Sequence, residues 1–254
     1  MASNPVTSGR IVQLDSRQHT ASDGDLVSSW VDQSGNGNDA ASSGGARPTY
    51  KTNIINGQPV IRFENDGMLG SLSGWSSPTG MQICCLVTNF TASAGFAGLG
   101  SIAPSGGSDN GNTSSIILGG TIGSANFWGG YSTAGSYYTN KVLGTASLSF
   151  LSYGISATEN MLGVDTTPIR ANLTSTIGTA QGAYSVGCRL LSGAADNAYA
   201  VTADYCLFLV YSRLLTNSEF ASLGAWALSE FAASSGGGGT SSLINGGLVR
   251  GMVL

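Results

Sequence analysis

The sequence predicts an all-β sandwich with one helix near the end of the domain, and three observations carry that prediction. Ten segments have the continuous or alternating apolar pattern of strands. Turn-forming clusters rich in Gly, Ser, Asn and Asp separate them. A single stretch near residue 220 has apolar residues at helical spacing.

In chain order, the pattern predicts strands at 10–14, 27–31, 60–64, 81–90, 114–118, 125–128, 146–155, 161–164, 183–188 and 204–213. The clusters SGNGND, SSGGARP, INGQP, ENDG, SGGSDNGN and TAGS fall between them, where glycines supply positive φ and Asn or Asp side chains bond their own backbone. Phe150, Ser152 and Gly154 alternate with Leu151, Tyr153 and Ile155, which reads as a half-buried strand. Residues 206–211 are continuously apolar, as in a strand packed on both faces. Thr216-Asn217-Ser218-Glu219 fits a capping box, and Phe220, Leu223, Ala227 and Phe231 then share one helical face with Trp226 beside them. The helical pattern stops at Ser234. One domain over 1–233 is therefore expected, followed by a Gly-rich linker and an apolar tail over 234–254.

Composition excludes several function classes. Only 9% of the residues are charged, the net charge is −4, and Gly, Ser and Thr make up 96 of 254 residues. Ordinary domains carry roughly 25% charge. With 41% hydrophobic residues there is material for a core, so charge-driven disorder is excluded. Ten Lys plus Arg without a cluster exclude a nucleic-acid footprint. No apolar run approaches the roughly 18 residues of a membrane span, so membrane insertion is not expected. No secretory signal is visible at the N-terminus, which favours reduced thiols. Cys84, Cys85, Cys188 and Cys206 are read as buried free thiols, with a Cys188–Cys206 disulfide as the alternative.

Two stretches carry a family resemblance. In the first, Asp15 ends a strand, and Trp30, Asp32, Ser34, Gly35, Asn36, Gly37, Asn38 and Asp39 form W-x-D-x-S-G-N-G-N-D. Pro48, Tyr50, Asn56, Gly57, Pro59, Arg62 and Phe63 follow in the same order as in the bacterial and phage members of the concanavalin A-like (laminin G-like) jelly-roll superfamily. The second, ADYCLFLVYSRLLTNSEFASLGAWALSEF, resembles that family's last strand and closing helix. The resemblance spans about 10–232 and implies a concanavalin A-like jelly roll of two antiparallel sheets. It implies little about function, because the superfamily hosts lectins, glycosidases, adhesins and architectural domains. From the residues themselves, Trp30 and Phe63 are expected as inter-sheet anchors. Arg62 is expected on the opposite face, held by a carboxylate or carbonyls.

Candidate chemistry is sparse. His19 is the only histidine, in a polar loop, so no His-based metal site or serine triad is expected, nor any cofactor. Asp32, Ser34, Asn36 and Asn38 alternate as in a calcium loop, but the twelfth position is a serine, and a metal-free turn is expected. Glu64 and Asp66 give half of a glucanase carboxylate motif without the third carboxylate, so the protein is expected not to be an enzyme. Trp75, Trp128, Tyr131, Tyr137 and Tyr138 lie in or beside Gly/Ser-rich loops and are the candidate sugar-stacking rings. In the tail, Leu243, Ile244, Leu248, Val249, Met252, Val253 and Leu254 would be costly to leave in water, at roughly 1.5–3 kcal/mol per large side chain, and are read as a docking peptide. These features together predict a non-enzymatic structural or adhesion component of a phage virion, a head decoration or tail-associated protein. It would associate with itself and with other virion proteins. The alternative is a glycan-binding or receptor-binding module that engages host surface glycans; a glycoside hydrolase is a third reading.

Overall fold

The computed structural model describes residues 2–42, 47–73, 75, 79–92, 97–109, 116–119, 127–132, 135–142, 148–172 and 182–232, with only the backbone described at 92, 116–117, 119, 127–132 and 135–142. The described strands begin with β1 (Arg10–Asp15), β2 (Ser29–Trp30), β3 (Ala40–Ala41), β4 (Thr49–Ile55), β5 (Gln58–Glu64) and β6 (Met68–Ser71). Next come β7 (Gly80–Ala92), β8 (Gly98–Ala103), β9 (Ile116–Gly119), β10 (Phe127–Ser132), β11 (Gly135–Val142) and β12 (Ser149–Ser156). The last are β13 (Asn160–Val164), β14 (Thr167–Ala171), β15 (Ala183–Val186), β16 (Arg189–Leu191), β17 (Ala194–Asp196) and β18 (Val201–Tyr211), before helix α1 (Asn217–Glu230).

They form an all-β sandwich of two antiparallel sheets. The first runs β14-β13-β12-β7-β18-β5-β4, and β1 also pairs with β18. β1 and β5 share one edge of β18 end to end: Leu207 pairs with Asp15, and Tyr205 with Ile61. The second sheet runs β11-β10-β9-β8-β15-β6-β3-β2, and β16 and β17 make a separate hairpin. Trp30, Phe63, Tyr184, Tyr205 and Phe208 are fully buried between the two sheets, so both expected anchors sit where predicted.

The outer face of the first sheet is covered by α1, which explains the long apolar runs. In β7, Ile83, Cys85 and Val87 face the inter-sheet core, whereas Cys84 and Leu86 join Phe220, Leu223 and Phe231 under the helix. A register shift between Tyr205 and Leu207 in β18 lets Cys206 and Leu207 both join the helix-side cluster. The half-buried reading of 150–155 is corrected: every residue from Ser149 to Ile155 is buried. Phe150 packs at 5.5 Å on Phe220, Ser152 accepts a 2.7 Å bond from Gln82, and Leu214 closes over Gly154. The capping box is formed, with Glu219 N–H donating to Thr216 Oγ1 at 3.2 Å and Thr216 N–H to Glu219 Oε2 at 2.9 Å. Arg213 forks onto the same carboxylate at 2.7 and 2.8 Å.

The predicted strand at 27–31 shrinks to Ser29–Trp30. Strands β3, β4, β6, β8, β11, β14, β16 and β17 lack a counterpart in the sequence reading. Asn56 and Gly57, at φ 50° and 81°, form the two-residue turn that joins β4 to β5 with Ile55 opposite Gln58. All four cysteines are free and buried. Arg62 forks onto Asp204 at 2.7 and 2.9 Å, which is the carboxylate expected for it. The tail over 234–254 lies outside the described residues, so its docking residues receive no structural account.

Candidate functional site

The ladder register divides the second sheet into inward and outward rows, because directly paired residues share a face. One inward row runs Trp30, Ala40, Gly70, Tyr184 and Ile102 across β2, β3, β6, β15 and β8. The neighbouring outward row runs Ser29, Ala41, Leu69, Ser185, Ser101, Ile117, Tyr131 and Ser136 across all eight strands. Its described members are small or apolar and uncharged. Ser29 and Ala41 are exposed and Leu69 is half-buried, whereas Ser185 and Ser101 are fully buried, so among the described members the open part of the row lies on β2, β3 and β6.

One wall rising from this face is the turn 32–39. The Asp32 carboxylate organises it: Oδ1 accepts from the backbone N–H groups of Gln13 and Ser34 at 2.8 Å, and Oδ2 accepts from Asn38 N at 3.0 Å and Ser34 Oγ at 2.6 Å. Asn36 and Asn38 each donate to the Ile11 carbonyl at 3.1 Å. Asn38 Oδ1 accepts from Ser73 N and Oγ. From the core, the Tyr184 hydroxyl donates to the Asn38 carbonyl at 2.6 Å. Both Asp32 oxygens are thus engaged by protein donors, and the arrangement is a self-stapled turn. Asp39 follows with its side chain exposed; its Oδ1 accepts from Asp32 N at 2.8 Å, which holds the carboxylate in one orientation.

The opposite wall is the β16–β17 hairpin, turned tightly at Ser192 and Gly193 (φ 50° and 77°). Its base is fixed by a buried ion pair, Arg189 Nη2 to Asp109 Oδ1 at 2.8 Å, while Asp109 Oδ2 accepts from Leu190 N at 2.7 Å. Ser185 Oγ donates to the Cys188 carbonyl at 2.7 Å, so the chain leaving β15 folds back over the outward row.

Between the two walls lies a cleft of about 480 Å³. Leu69, Ala41 and Ala183 contribute apolar surface to it, Ser71 and Ser73 hydroxyls, and Asp39 a carboxylate; Gly37 and Gly193 line its sides. An oriented carboxylate oxygen and two exposed hydroxyls above an apolar surface can hydrogen-bond a polyol while its C–H face packs below. A second cleft of about 350 Å³ lies between residues 2–4, Arg10, Gln13, Arg17, Gln33 and Trp226. There Arg17 clasps Asp15 and Glu230 at 2.7 and 2.5 Å and sits 4.6 Å from the Phe231 ring centre, tying β1 to the end of α1.

The structure redistributes the predicted site residues. Trp75 is corrected from a surface ring to a core anchor, 4% exposed within the inter-sheet cluster. Tyr131 pairs with Ile117 and Ser136 in the outward row, and Tyr138 pairs with Gly129. Tyr137 pairs with Gly130, in the row of Met68, Val186 and Leu118, all three buried. Trp128 falls at a register shift between Phe127 and Gly129; the side chains of these four aromatics lie outside the described parts. Glu64 and Asp66 form a local turn, with Asp66 Oδ2 accepting from Glu64 N at 3.1 Å beside Asn65 at φ 63°. Burial raises the Asp66 carboxyl above its ordinary value. Burial also pushes the Cys84 and Cys188 thiols up to about 12, which keeps them from acting as nucleophiles at neutral pH. Sequence reasoning missed Leu69, Ser71, Ser73 and Gly193, and placed Asp39 only in a turn motif. The W-x-D-x-S-G-N-G-N-D motif was the available signal for Asp39; the remaining residues meet it only through sheet pairing.

No protein-family profile matches the sequence, and no curated protein sequence matches it. Solved structures do resemble it. Domain 4 of AbnA, a GH43 extracellular arabinanase from Geobacillus stearothermophilus solved in complex with arabinotriose, superposes with a TM-score of 0.59 at 13% identity, covering 85% of this chain and 98% of that one. A GH54 α-L-arabinofuranosidase superposes at 0.56 and 10% identity, covering 87% and 59%. The binding domain of Botulinum neurotoxin DC in complex with SialylT superposes at 0.50 and 9% identity, covering 87% and 52%. What these proteins share with the chain is the fold. At such identities no residue role transfers from them.

Proposed function

We propose that the protein is a glycan-binding module whose site is the cleft between the 32–39 turn and the β16–β17 hairpin. The observation that carries this is the pairing of an oriented Asp39 carboxylate and the Ser71 and Ser73 hydroxyls with the apolar surface of Leu69, Ala41 and Ala183. The fold adds support, since an arabinanase domain solved with arabinotriose is matched over nearly its whole length. Tyr131 and Tyr138 are proposed as stacking rings of a separate part of the sheet, β10 and β11, and Trp128 and Tyr137 as secondary candidates. A glycan array followed by titration calorimetry tests the proposal. Ser71→Trp, which fills the cleft, is expected to abolish binding, and Tyr131→Ala to weaken it. Unchanged binding by Ser71→Trp would overturn the assignment of the cleft.

The protein is further proposed to bind without cleaving. Asp66 is engaged by the Glu64 backbone rather than set across a cleft from Glu64, which supports this. Release of reducing ends from polysaccharides by the wild-type protein, lost in Glu64→Gln, would overturn it. A role in a phage particle, with self-association through 234–254, would add to saccharide binding rather than replace it. Deleting 234–254 and finding an unchanged oligomer by light scattering would remove the support for such docking.

A further inference from the structure

We infer that the cleft selects neutral saccharides over acidic ones and that Asp39 is the specificity-determining residue, an inference that rests on the glycan-binding reading. Three observations lead there. First, Asp39 is the only charged residue among the described residues that line the cleft, and none of those residues is Arg, Lys or His. Second, Asp39 is oriented in advance. Its Oδ1 is engaged by Asp32 N, and its Oδ2 accepts no bond from any described residue, so that oxygen is left to accept from a ligand donor. Third, its neighbour Asp32 is 8% exposed with both oxygens satisfied by four protein donors, so it adds negative field without adding a ligating oxygen.

These facts separate the candidate ligands. A divalent cation needs about six to eight oxygen ligands for calcium, and a single spare carboxylate oxygen does not build that shell. A carboxylated or sulfated sugar would bring a negative charge beside Asp39 and Asp32, with no cation among the described lining residues to offset it. A neutral sugar instead offers hydroxyl donors, and a hydrogen bond to a charged acceptor is among the stronger polar contacts. The uncharged floor of Leu69, Ala41 and Ala183 suits the C–H face of such a ring.

The test uses two matched comparisons on the full chain, lactose against 3′-sialyllactose and arabinotriose against trigalacturonate, by titration calorimetry at low salt. The neutral member of at least one pair is expected to bind about tenfold or more tighter than its acidic counterpart, the factor that about 1.4 kcal/mol represents. Asp39→Asn keeps an Oδ1 that accepts from Asp32 N, so the turn is retained. This variant is expected to lose neutral-sugar affinity and to narrow the gap to the acidic sugar. Equal or tighter binding of the acidic members would overturn the inference while leaving saccharide binding intact. Neutral binding that Asp39→Asn leaves unchanged would overturn the role of Asp39. Binding of no saccharide on this panel or on the array would overturn the glycan-binding reading and the inference together.

Discussion

The Tyr184 hydroxyl, carried by a ring buried between the two sheets, donates 2.6 Å to the carbonyl of Asn38, the residue before Asp39. The contact ties the core directly to one wall of the cleft. Burial, reinforced by the field of Asp32 and Asp39, raises the phenol well above its ordinary value, so it remains a donor throughout the useful pH range. Tyr184→Phe keeps the ring over Gly70 and its stacking at 5.9 Å on Phe208, but leaves the Asn38 carbonyl short of a partner. The expected cost is about 0.5–1.5 kcal/mol in urea unfolding, with a larger fractional loss of saccharide affinity than of stability. Equal affinity in the two proteins would show that the turn is held by Asp32 alone.

The opposite wall depends on Asp109. Its carboxylate is fully buried and receives Arg189 and Leu190 N, and Arg189 also lies 5.0 Å from the Tyr199 ring. Removing one partner of a buried pair leaves the other charge unanswered. Asp109→Ala is expected to cost about 3–5 kcal/mol, and hydrogen exchange is expected to quicken first at Leu190 and Gly193.

The helix start gives a pH prediction. Arg213, hydrogen-bonded to Glu219, together with the Thr216 cap, depresses the Glu219 carboxyl from its usual 4.5 to about 2. A depressed carboxylate contributes stability that is fully present above the unfolded value and is lost as pH falls toward the folded one. Stability is therefore expected to decline between about pH 5 and pH 2, and Glu219→Gln is expected to flatten that decline. Because the pair is still partly exposed to water, the effect is expected to stay near or below about 1 kcal/mol. Thermal melts of both proteins across this window decide it.

What could be read in the sequence was whatever its local pattern encodes. The capping box and Phe220, Leu223, Ala227 and Phe231 announced α1, and the structure buries that same face. Trp30, Phe63 and the run 206–211 were readable because apolar bulk in a strand has few destinations besides a core. Trp75 was misread because a Gly/Ser-rich neighbourhood suggests a loop, while the ring itself packs inward. Residues 150–155 looked half-buried because Ser152 and Gly154 are small. They are small because Leu214 and Gln82 press against Gly154, and Ser152 bonds Gln82 in the layer under the helix. Beyond the motif that holds Asp39, the cleft was not legible, since Asp39, Leu69, Ser71, Ala183 and Gly193 are brought together by long-range pairing. Strand β6 illustrates the difficulty: MLGS has no alternation to read, and it is held by β3 and β15 on either side.

Asp204 offers a last prediction about the first sheet. It lies in β18 at 1% exposure, and its carboxylate is held by the Arg62 fork and by Asn89 Nδ2 at 2.6 Å. Asn89 adopts φ 53°, a left-handed conformation that asparagine tolerates better than most residues. Arg62→Ala would leave a buried carboxylate with one amide donor in place of a cation, at an expected cost of about 3 kcal/mol. The double variant Arg62→Met with Asp204→Leu removes both charges while keeping comparable volume, and is expected to recover most of that loss. Urea unfolding of the single and double variants separates the two cases. A double variant as unstable as Arg62→Ala would mean that Asn89 and its turn, rather than the charge, set the cost.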